Sequence, residues 1–74
     1  MNRKIVLTAI IEKEDDTYVS FCPELDIASQ GETSDEAKSN LVEAIELFYE
    51  TASETEITSR LHNDLQISRV TVNI

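Results

Sequence analysis

The chain has 74 residues, 15 Asp and Glu against 6 Lys and Arg, and a formal net charge of −9. That length allows one domain, and that charge argues against nucleic acid or an anionic membrane surface as a direct ligand, because a polyanion needs clustered cations. Cys22 is the only cysteine and His62 the only histidine, so neither an intrachain disulfide nor a metal site at ordinary ligand spacing is expected, and no cofactor is implied.

Residues 4–12 read as the first strand. Ile5, Leu7, Ala9 and Ile11 alternate with Val6, Thr8 and Ile10, so both faces are largely apolar, as in a central strand. The apolar run 5–11 falls far short of the ~20 residues that span a bilayer, and acidic residues follow it at once. A cytoplasmic location is therefore expected. Asp15 and Asp16 suit a hairpin turn. Residues 17–22 form a second strand, with Val19 and Phe21 on one side and Tyr18, Ser20 and Cys22 on the other.

Pro23 has no amide hydrogen and ends the pairing. Residues 26–30 are a short third strand. Gly31, the only glycine, stands where a positive φ is expected before the helix. Thr33 and Glu36 form a capping box, in which the Glu36 carboxylate should return to the Thr33 amide. Ala37, Leu41, Ala44, Ile45, Phe48 and Ala52 then mark one buried helical stripe ending near residues 51–53. Ile57 and Leu61 allow one further short turn. Residues 65–74 are the last strand, with Val70, Val72 and Ile74 inward.

This order predicts an α+β fold, β-β-β-α-β. One helix packs on a four-stranded sheet of order 3-2-1-4, closed by a right-handed crossover. One helix covers only one face. Val6 and Ile10, or their neighbours of opposite parity, then need a cover from another subunit, so the open face or an edge of the sheet is expected to make a homo-oligomer, a dimer or a tetramer.

Cys22-Pro23-Glu24-Leu25, Gly31-Glu32-Thr33, Glu36-Ala37 and Glu43-Ala44, in this order and spacing, resemble the HicB-type antitoxin domain over nearly the whole chain. The resemblance implies a reduced ribonuclease-H-like fold, oligomerisation, and a partner of the HicA type. Such a partner is a small basic toxin that cleaves mRNA, and the antitoxin blocks it by covering its active site. Many members carry a DNA-binding segment after this domain. The chain stops at Ile74 without one, so transcriptional repression is not carried over. Many also have Pro-Gly-Cys where this chain has Cys22-Pro23-Glu24. The similarity is to a short, single-domain branch.

Glu24, Asp26, Glu32, Asp35 and Glu36 gather in sequence around the third strand and the helix start. They are the candidate partner-binding residues, an acidic rim for a basic protein. No enzyme is expected. Metal-dependent nuclease chemistry needs converging carboxylates, and the middle of the first strand holds none. Cys22 has no base near it in sequence. The alternative is a stand-alone oligomeric binding domain with another protein or small-molecule partner and no toxin.

Overall fold

A computed structural model describes residues 4–62 and 64–74. Three strands, β1 (Ile10–Glu14), β2 (Thr17–Cys22) and β3 (Ile27–Gly31), form an antiparallel meander of order β1-β2-β3. Two helices follow, α1 (Ser34–Thr51) and α2 (Glu54–Arg60). The expected four-stranded sheet of order 3-2-1-4 with one helix is overturned. There is a second helix, and residues 65–74 form no strand. Val70 and Val72, expected inward, are 81% and 69% exposed. The first strand is also shorter than expected, since pairing begins only at Ile10.

The hairpin between β1 and β2 pairs Glu14 with Thr17 across Asp15 and Asp16. Asp15 has φ 55°, in the left-handed region that Asp tolerates better than most residues. The turn between β2 and β3 closes with the Leu25 amide donating to the Cys22 carbonyl at 3.3 Å and Asp26 at φ 55°.

Residues paired across strands share a face. Ile11, Ser20 and Ser29 lie on one side with Lys13, Tyr18, Gly31, Cys22 and Ile27. This is the side that α1 covers. Buried Ser20 donates its hydroxyl to the Ala37 carbonyl of α1 at 2.8 Å. Cys22, Leu25 and Leu41 form the buried core, with Leu7, Ile27, Ile45, Phe48, Tyr49 and Leu61 packed around them. α1 lies mainly over β3 and β2 and touches β1 least.

Thr33 caps α1, its hydroxyl accepting the Glu36 amide at 3.0 Å. The return bond differs from expectation. The Glu36 carboxylate accepts the amide of Glu32 at 3.0 Å. Gly31 also differs, since its φ is not positive. A Cβ there would come 2.5 Å from the Ala37 nitrogen and 2.8 Å from the Glu36 carbonyl carbon. Gly31 is needed because the first turn of α1 presses on the end of β3.

Ala52 ends α1, and Ser53 caps α2 by accepting the Glu56 amide at 3.1 Å. The short turn expected at Ile57 and Leu61 is a seven-residue helix.

Candidate functional site

The acidic rim expected from the sequence divides in two. Glu24 and Asp26 precede β3, and Glu32, Asp35 and Glu36 follow it. Five extended residues lie between Asp26 and Glu32, which sets the groups about 20 Å apart. They do not converge on one patch.

Glu24 is committed within the chain. Its carboxylate accepts the Thr8 amide at 3.0 and 3.1 Å, the Thr8 hydroxyl at 2.7 Å and the Cys22 thiol at 3.4 Å. Burial acts to raise its pKa. The donors, Thr8 foremost, outweigh that and hold the carboxyl below its ordinary range. Pro23 stops the ladder, and the Glu24 side chain takes up the Thr8 amide in its place. Sequence position made Glu24 look like a surface charge. Only the folded-back path of residues 4–9 shows its use.

The same turn anchors the segment after α1. The Glu24 carbonyl accepts the His62 amide at 2.7 Å. Arg60 donates to the carbonyls of Leu25 at 2.9 Å and Asp26 at 3.2 Å, and its guanidinium lies 5.5 Å from the Phe48 ring centre. The Asp26 carboxylate meets the His62 ring at 3.3 Å. Glu36 caps α1. Among the described residues, the carboxylates of Glu32 and Asp35 accept no hydrogen bond, and both are exposed.

The uncovered face of the sheet has a different character. Ile10, Phe21 and Ala28 align across the three strands, and the next register row is Glu12, Val19 and Gln30. Ile10 is 46% exposed, Phe21 37% and Val6 96%. Glu12 and Glu14 of β1 lie on this face beside the apolar row, and Thr17 pairs with Glu14. The expected contact residues Val6 and Ile10 are thus accessible. Phe21 and Ala28 were missed as their companions, although the two-residue alternation of β2 already places Phe21 opposite the buried Ser20 and Cys22.

Burial pushes the Cys22 thiol up, away from the thiolate that nucleophilic work requires, and the neighbouring Glu24 carboxylate adds to the effect. Among the described residues, no group of three His, Cys, Asp or Glu side chains is placed to hold a metal ion. No helix among them is long and apolar enough to cross a membrane. Compared with protein-family models, curated proteins and solved structures, the chain matches none.

Proposed function

We propose that this chain is an antitoxin-like binding module that neutralises a small basic ribonuclease of the HicA type by covering its active site. The uncovered sheet face carries the proposal. It sets an apolar centre of Ile10, Phe21 and Ala28 beside the acids Glu12 and Glu14. An apolar core with a charged rim is the usual anatomy of a protein interface. The net charge of −9 favours encounter with a basic partner. The HicB-like order of motifs supplies the class of partner.

The reading also revises which acids meet the partner. Glu24 and Glu36 accept hydrogen bonds within the chain, so of the expected rim Glu32 and Asp35, joined by Glu12 and Glu14 on the uncovered face, are the acids assigned to the cationic surface. The test is co-expression of the tagged chain with the small basic protein encoded beside it. The expected result is a stable complex and relief of growth arrest, both lost in Phe21→Asp. A basic neighbour that neither binds nor is neutralised, or the lack of one, favours the alternative of an oligomeric domain with a different protein or small-molecule partner.

A further inference from the structure

Two parts of the chain are left incomplete, and they fit each other. The first is the N-terminal extension of β1. Among the described residues, the backbone of residues 4–7 forms no backbone–backbone hydrogen bond. Beside it runs an open groove between residues 4–9 and α1, whose apolar lining of Ile5, Leu7, Leu41, Val42, Ile45 and Tyr49 is accompanied by the charged side chains of Lys38, Glu43, Glu46 and Glu50. The groove exists because α1 leans toward β3 and leaves the β1 side of the sheet poorly covered. An unpaired strand extension flanked by an apolar groove is a template for one more strand.

The second part is the segment 65–74. Val70, Val72 and Ile74 alternate with Arg69, Thr71 and Asn73, which is the pattern of a strand buried on one face. All three apolar side chains are exposed. Among the described residues this segment forms no backbone–backbone hydrogen bond either. It leaves the body beside Thr8, because the His62 amide is fixed to the carbonyl of Glu24, whose carboxylate holds Thr8. It then runs outward. The radius of gyration is 14.2 Å and the long axis 47 Å, against about 11 Å expected for the radius of a compact domain of this length.

Charge separates these two segments from the rest. All 15 acidic residues lie within residues 12–64. Residues 1–11 carry Arg3 and Lys4, and residues 65–74 carry Arg69, with no acid in either. In a chain of net charge −9, these are the two stretches that can meet those of another copy without bringing carboxylates together.

We infer that residues 69–74 of one copy add as a strand along residues 4–9 of a second copy, reciprocally, in a closed two-fold dimer. Val70, Val72 and Ile74 enter the groove beside α1, and Arg69, Thr71 and Asn73 face the opposite side of the sheet. The exchange is isologous, so each copy supplies one arm and one groove and the contact closes on itself. It uses the sheet edge and leaves the face of Ile10, Phe21 and Ala28 free. The dimer and the proposed toxin contact are therefore independent.

Sedimentation of the full chain at micromolar concentration tests the exchange, together with directed cross-linking. The full chain is expected to sediment as a dimer. Val70→Asp with Val72→Asp is expected to raise the dimer dissociation constant at least 100-fold while leaving the helical circular dichroism unchanged, because neither side chain packs within its own subunit. A tagged Ile5→Cys chain mixed with an untagged Val72→Cys chain is expected to form the mixed disulfide in preference to either homodisulfide. A monomeric full chain overturns the inference, as does a dimer indifferent to the aspartates. A Val72–Val72 disulfide as the main product also overturns it, since it places arm against arm.

Discussion

The Glu24 carboxylate accepts both the amide and the hydroxyl of Thr8, at 3.0 and 2.7 Å, across 16 residues of sequence. This contact fastens the extension of β1 to the β2–β3 turn, where the Pro23 break leaves no strand to do so. The same residue's carbonyl fastens the chain after α2 through the His62 amide. Glu24 thus ties both incomplete ends of the molecule to one turn, next to the fully buried Leu25.

Glu24→Gln should lower stability at neutral pH by about 1.5–3 kcal/mol, the usual range for a hydrogen bond to a charged group. The folded-state pKa of Glu24 lies below its unfolded value. Its contribution is therefore complete above the unfolded pKa and disappears as pH falls through the folded one. Urea unfolding midpoints of the two proteins should converge on acidification below about pH 4. A gap that persists undiminished in acid would show that the carboxylate charge is not what matters.

Gly31→Ala should destabilise by about 1–3 kcal/mol through overpacking. The added carbon meets backbone atoms of Glu36 and Ala37, which cannot turn aside as a side chain can. Because φ is not positive at Gly31, the loss is steric. It should grow from Ala to Val in thermal unfolding, whereas a purely conformational demand would penalise both alike.

Arg60→Ala should release α2 from the β2–β3 turn. It removes two hydrogen bonds to the carbonyls of Leu25 and Asp26 and the stacking over Phe48. The expected loss is about 1–2 kcal/mol. Amide exchange should accelerate first in α2, before the strands. Uniform acceleration throughout the chain would mean that α2 does not open as a separate unit.

The charge-reversal variants differ in kind. Glu32→Lys with Asp35→Lys should slow association with a basic partner, most at low salt, with stability changed by less than about 1 kcal/mol. Glu24→Lys should instead unfold or strongly destabilise the chain, since it buries a cation against the donors of Thr8. Equal effects of the two variants on folding would contradict the division of the acidic rim.

The parts legible in the sequence were those set by local chemistry. The Thr33 cap, the helix end after residue 51, the Asp15-Asp16 hairpin and the alternation of β2 all depend on neighbours within a few residues. The strand expected at residues 65–74 does not form, because alternation alone does not supply the partner edge that pairing needs. Gly31 was assigned to backbone freedom, when the cause was contact with a helix not yet placed. Glu24 looked like one acid among five because its donor, Thr8, lies 16 residues away in sequence. The second helix was understated, since its anchor is Arg60 against a distant turn rather than an apolar stripe.

The most direct test of the binding proposal is to titrate the purified chain into the RNA-cleavage reaction of a small basic ribonuclease of the HicA type. The account predicts that cleavage falls linearly to zero at a fixed molar ratio, and that Phe21→Asp abolishes the inhibition while still folding. Cleavage that continues unchanged in the presence of excess chain, or inhibition that Phe21→Asp retains in full, would contradict it.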